Sequence, residues 1–389
     1  MNVTKPVGKI HPGDLPEASH HIVARGFASL LERSADNHHA VHHIHAPIHS
    51  LSLEKLTWVQ HFIPGFEKLA VEHHCGNFVV VRGTSVPFFE SMPLYARLGM
   101  HLLFYGKEEI KVLGNRRVEE LLREQSIKQG KIYDDPKSVH SIPSFVETYS
   151  IQLDELLEPD VGKYGCFNEF FFRKLKPDSR PIQNEDDPTV ICSVADCRLT
   201  VYTSVDLARE FWIKGQNFTI PNLFNLPPSS PKVEPFHDDA RLAIFRLGPA
   251  DYHRFHSPID CEVGEIEHVP GQFFTVNPQA VNEPGFDVFT ANTRSILYLK
   301  HLSTSLPVVF VAICALLVGS IVWTGGKEKG ATLKRGDELG YFAYGGSTIV
   351  VIFPKEIIDF DEDLVSNSEK PIETLVKAGY SIGRMPVRL

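Results

Sequence analysis

From Val190 onward the chain is a succession of short runs rich in Val, Ile, Thr, Tyr and Phe, separated by Pro, Gly, Asn and Asp. The runs are Val190-Ile191, Leu199–Tyr202, Leu242–Phe245, Val263–Ile266, Phe273–Val276, Ser295–Leu299, Val308–Ile313 and Ile349–Phe353. Runs this short, punctuated this often, predict strands of a mostly antiparallel sheet. Leu306–Trp323 is 18 residues without a charge, near the lower limit of about 17–25 residues for a membrane span. Its density of Val and Ile, with Pro307 and Gly319 inside, predicts a buried strand or strand pair instead of a lipid-facing helix.

The upstream part has a different period. Leu53, Leu56, Val59, Phe62 and Phe66 recur at helical spacing, with Pro64 as a breaker. A second helical zone runs from Met92 to Glu124; its Leu102, Leu103, Phe104 and Tyr105 are the best candidates for a surface that meets lipid. Phe167–Arg173 predicts a helix capped at Asn168, and 226–238 reads as an exposed connection. The fold class is therefore α+β, a helical N-terminal part followed by a mostly antiparallel β domain.

With 43% hydrophobic and 22% charged residues over 389 positions, the chain is globular. A net charge of −9 argues against nucleic acid as a partner. The six cysteines are scattered without a CxxC, as in a reducing compartment. Met1–Pro6 starts neither a signal peptide nor a transit peptide, so the expected location is cytoplasmic or peripheral to a membrane. His38, His39, His42, His43, His45 and His49 invite a metal-binding reading, but no paired cysteines accompany them. A polar surface segment is the expectation, and no metal site is assigned.

Three segments carry residue types suited to chemistry. In Tyr344-Gly345-Gly346-Ser347-Thr348 a hydroxyl follows two glycines at a corner. This is either an ordinary turn or a place where Ser347 attacks the carbonyl of Gly346, which has no Cβ to block the approach. In Asp251–Pro258, His253 and His256 stand three apart and can supply a general acid and a general base. Asp196, between Ala195 and Cys197, is either a turn former or the orienter of a histidine.

Several motifs then fall into one order: Phe167–Pro177, Ala195-Asp196, Asp251–Pro258, Phe274–Pro278, Val318–Ile321 and Gly345–Thr348. Together they resemble the phosphatidylserine decarboxylase family over roughly residues 90 to 389, in its fungal or eukaryotic branch without a C2 extension. The resemblance implies a decarboxylase domain of that type at 161–389, preceded by a His-rich extension at 1–75 and a helical region at 76–160. It also implies a proenzyme. Ser347 attacks Gly346, the chain separates into 1–346 and 347–389, and Ser347 becomes a pyruvoyl group. By position Asp196, His256 and Ser347 match the self-cleavage triad, and His253 matches the histidine that assists decarboxylation. The implied reaction converts phosphatidylserine to phosphatidylethanolamine with loss of CO2. The alternative substrate is a free aromatic amino acid, and the non-enzyme alternative is a metal-binding or membrane-associated protein. The expected partners are a phospholipid substrate, a membrane surface, the two cleaved chains with each other and a second copy in a homodimer. Cys197, Cys261 and Cys314 replace glycines usual in the family; a Cys197 with positive φ would carry strain beside Asp196.

Overall fold

A computed structural model describes residues 76–84, 86–91, 127, 130–213, 218–237, 240–274, 276, 281, 287–315, 320–343, 347–370 and 372–386. The histidine-rich stretch, both predicted helical zones up to Glu124, residues 316–319 and the Gly345-Gly346 corner lie outside these.

The described residues build one large sheet and two small ones. In spatial order the large sheet contains β11 (Thr332–Leu333), β7 (Cys261–Val269), β8 (Arg294–His301), β9 (Pro307–Ile313), β13 (Ser347–Phe353), β5 (Arg241–Leu247), β4 (Cys197–Tyr202), β15 (Ile372–Val376), β1 (Gly76–Val81) and β2 (Phe88–Ser91). Of these pairings only β1 with β15 is parallel. A second sheet is β10 (Ser320–Trp323), β12 (Glu338–Ala343) and β6 (Arg254–His256). The third is β14 (Asp359–Phe360), β16 (Ser381–Arg384) and β3 (Val190–Cys192). Helices are short: Ile142–Tyr149, Phe167–Phe171 and Glu362–Ser368 are among them. The α+β class holds, with β1 and β2 of the 76–160 region belonging to the large sheet.

The position of β13 explains its composition. It pairs with β9 on one side and β5 on the other, and every residue from Ser347 to Phe353 is buried. A strand covered on both faces needs an unbroken apolar run, because neither set of alternating side chains meets water. Burying each of its large aliphatic side chains contributes about 1.5–3 kcal/mol. The uncharged Leu306–Trp323 stretch contributes two strands: β9, buried in the core of the large sheet from Val308 on, and β10, half-buried in the small one apart from the buried Trp323. Among the described residues no helix is long and apolar enough to cross a membrane.

Two local expectations differ. Phe273, Phe274 and Val276 are not in a strand. Asn292 takes the place of a neighbouring strand there, accepting from the Phe274 N–H (2.9 Å) and donating to its carbonyl (2.7 Å). The helix at Phe167 is capped by Cys166, whose Sγ accepts from the Glu169 N–H, while Asn168 is buried and donates to Asp134 (2.7 Å).

Candidate active site

Ser347 opens β13 directly opposite Leu247, the last residue of β5. Beyond Leu247 the chain turns through Gly248–Asp251 and returns as His253 and β6. Strand β6 pairs with β12, with Tyr341 opposite Arg254 and Glu338 opposite His256. The Phe342 N–H also donates to the His253 carbonyl at 2.9 Å. Strand β12 thus runs beside both histidines and ends at Ala343, four residues before Ser347. Two sheets meet at this point, and the chain passes from one to the other between Ala343 and Ser347.

Each histidine is held by one backbone carbonyl. His253 is fully buried, its ring against Phe171 with centroids 3.9 Å apart, and its Nδ1 donates to Asp251 O at 2.8 Å. His256 stacks on Tyr252 at 5.6 Å, its Nδ1 donates to Gly336 O at 2.8 Å, and its backbone N–H donates to Val194 O at 2.8 Å. A carbonyl can only accept, so Nδ1 carries the proton in each ring and the lone pair of the neutral imidazole falls on Nε2. The Nε2 of His256 is buried with no hydrogen-bond partner among the described residues.

Burial lowers the His256 pKa below its ordinary value of 6.5. Gly336 O, Glu338 and Asp196 oppose that shift without cancelling it. The ring is therefore neutral, and able to accept a proton, through neutral pH. A step that uses it as base is expected to hold a constant rate from pH 8 down past pH 6.5. It should slow only once the lowered pKa is crossed and Nε2 becomes protonated. Timing chain cleavage across this range checks the point; a midpoint above pH 6.5 would contradict it.

Asp196 lies in the buried link between β3 and β4. Its carboxylate accepts from Arg180 Nε (2.9 and 3.0 Å), Arg180 Nη2 (2.6 Å) and the Ala378 N–H (2.9 Å). Burial acts to lower the Arg180 pKa, but Asp196 and Glu155 outweigh it and hold the guanidinium above its usual value. Asp196 reaches His256 through charge, while the Gly336 carbonyl fixes the ring. Val194, two residues upstream, supplies the backbone contact between the two segments.

Ser347 is 0% exposed, and its Oγ has no partner among the described residues; the same is true of Thr348 Oγ1. Leaving a hydroxyl buried and unpaired costs about 1–3 kcal/mol, so such atoms mark places where stability is spent on something else. Cys197 sits in β4 opposite Val376 and is absent from the positive-φ residues, so no strain is stored beside Asp196. Burial pushes its thiol pKa well up, which keeps it protonated and inert. Arg180 and Gly336 were not singled out by sequence. Nothing in Pro177–Arg180 or in Arg335-Gly336-Asp337 shows which distant group each would meet.

A buried hydroxyl at a strand start and two imidazoles with defined tautomers in a strand segment paired with β12 are residue types suited to hydroxyl attack and proton transfer. A family model described as phosphatidylserine decarboxylase matches residues 167–384. The chain is 41% identical over 339 residues to phosphatidylserine decarboxylase proenzyme 2 of Komagataella phaffii, covering 87% of this chain and 32% of that protein. It is 38% identical over 320 residues to proenzyme 2 of Saccharomyces cerevisiae, covering 82% of this chain and 27% of that one. With the proenzyme of Fusobacterium nucleatum it shares 35% identity over 254 residues, covering 65% of this chain and 81% of that one. The chain belongs to the phosphatidylserine decarboxylase family. It spans about a third of the length of these two fungal relatives.

Proposed function

We propose that the chain is a proenzyme that cuts itself between Gly346 and Ser347 and then decarboxylates phosphatidylserine to phosphatidylethanolamine. The observation that carries this reading is the fully buried, unpartnered Ser347 Oγ at the head of β13. Next to it in the chain is the strand that pairs with the histidine segment.

In the cut, His256 Nε2 removes the Ser347 Oγ proton, and Oγ bonds to the Gly346 carbonyl carbon. The C–N bond then breaks, leaving an ester and a free amine on residue 347. Loss of the α-proton expels the Gly346 carboxylate, so 1–346 ends in an ordinary carboxyl group and residue 347 becomes dehydroalanine. Water converts that residue to a pyruvoyl group with release of ammonia. Asp196, buried and charge-paired with Arg180, favours the protonated His256 that forms on the way. The surroundings of Ser347 fit such a group: a fully buried position whose hydroxyl no other described residue uses.

The pyruvoyl group, once formed, supplies a carbonyl that takes up the substrate amine and the electrons released with CO2. His253 would hold and return a proton there on Nε2, a role supported by the commitment of its Nδ1–H to Asp251 O. A diacyl substrate resides in a bilayer, so the enzyme works at a membrane surface, and the two pieces stay together through the pairing of β13.

The experiment is direct. Purified chain is examined by mass spectrometry for a pyruvoyl-blocked fragment starting at 347, then offered phosphatidylserine liposomes or a panel of free amino acids. Release of CO2 from liposomes is the expected result; turnover of free aromatic amino acids alone would sink the lipid reading. His253→Ala is expected to cut normally and lose at least about 10²-fold in decarboxylation. An uncut His253→Ala chain would show the two histidine roles to be exchanged.

A further inference from the structure

We infer that the buried Arg198–Asp251 ion pair is the device that sets His253 for decarboxylation, acting through the turn Gly248–Asp251. The inference rests on the decarboxylase reading above and assigns a positioning role to two residues outside the cleavage triad.

The turn joins the strand that faces Ser347 to His253, so its shape fixes how the imidazole stands relative to residue 347. Its inner side is closed by one carboxylate. Asp251 Oδ2 accepts from Arg198 Nη1 at 2.5 Å and from the Gly248 N–H at 2.6 Å, and the two side chains are only 2% and 8% exposed. Gly248 is needed for this closure, since a Cβ there would lie 2.9 Å from Arg198 Nη1 and 3.3 Å from Asp251 Oδ2. The backbone of the same residue does the second job: Asp251 O is the acceptor for His253 Nδ1. A second arginine holds the turn from outside, with Arg173 Nη2 donating to Ala250 O at 2.9 Å and reaching Asp251 O at 3.4 Å. Arg173 follows the helix whose Phe171 lies against the His253 ring.

Stability alone is a poor reason for this pair. Removing two charges from water costs about as much as their attraction returns, and apolar residues of similar size would serve a core as well. What the pair adds is a fixed direction for one carbonyl. His256 stacks on Tyr252 next to the clasp, but its hydrogen bonds go to other segments, Gly336 O and Val194 O, so the clasp bears more directly on His253 than on His256. Cleavage and decarboxylation should therefore separate when it is broken.

The test uses the full chain with Asp251→Asn, Arg198→Met and Arg198→Lys. All three are expected to cut within about 3-fold of the parent rate, while Asp251→Asn and Arg198→Met lose about 10²-fold in kcat with KM unchanged, the scale of a 1 Å misplacement. Arg198→Lys, which keeps the charge, should recover most of the loss at a similar Tm. Independently of turnover, 15N NMR of the imidazoles in an uncut Ser347→Ala background is expected to show His253 as a single Nδ1–H tautomer, and a tautomer mixture once Asp251→Asn is added. Unchanged kcat in both charge-removing variants, or parallel loss of cleavage, kcat and Tm, would overturn the inference; so would an unaltered His253 tautomer. If the parent chain neither cuts nor releases CO2, the decarboxylase reading fails by itself, and the NMR result still decides whether the clasp orients His253.

Discussion

Ser347→Ala is expected to remain a single 389-residue chain, with no fragment 347–389 after any incubation. The residue is 0% exposed and its hydroxyl has no partner among the described residues, so the substitution breaks no hydrogen bond within the described structure. It removes a buried polar atom that costs about 1–3 kcal/mol when left unpaired. The uncut variant should therefore melt at the parent precursor's temperature or slightly above it. Loss of cutting with an unchanged or raised Tm identifies the hydroxyl as a chemical group; a chain that still cuts removes Ser347 from the reaction.

Gly336→Ala should have an effect nearly as large, although the residue has no reactive group. Gly336 has φ +88°, where a non-glycine residue is strained by about 1–2 kcal/mol. Its new Cβ would also lie 2.3 Å from Ile182 Cδ1. Ile182 or the loop must move, and the loop carries the carbonyl that fixes the His256 tautomer. Cleavage is expected to slow by about 10²-fold, the scale associated with losing the orientation of a catalytic group, as read from its half-time. Gly330→Ala is the control: its φ is +87°, but a Cβ there meets nothing within 4 Å. It should carry the backbone strain without the change in cutting. Equal rates in the two variants would remove Gly336 O as the orienting group.

Much of the β architecture was legible because burial on both faces writes itself into the chain as an unbroken apolar run, as at Val308–Ile313 and Ile349–Phe353. The four candidate side chains Asp196, His253, His256 and Ser347 could be named because each stands in a short motif whose order along the chain is distinctive. What holds them was not legible, because it depends on pairs far apart in sequence. Gly336 and His256 are 80 positions apart, and Arg198 and Asp251 are 53 apart. No local pattern foretells that a backbone carbonyl, not Asp196, accepts from His256 Nδ1. Asn292 in place of a strand beside Phe274, and β1 parallel to β15, were hidden for the same reason.

Under the proposed self-cleavage, the place of Ser347 at the head of a central strand sets the lifetime of the finished protein. Once the bond is cut, the short piece stays threaded between β9 and β5 by pairings along both of its edges. No fresh copy of that piece can take its place without opening the sheet through its middle. The proposed pyruvoyl group, once spent or damaged, would therefore be beyond repair, and the molecule would have to be replaced by new synthesis. Unfolding, too, becomes a one-way event, since two separated polypeptides must then find each other where one chain once folded on itself.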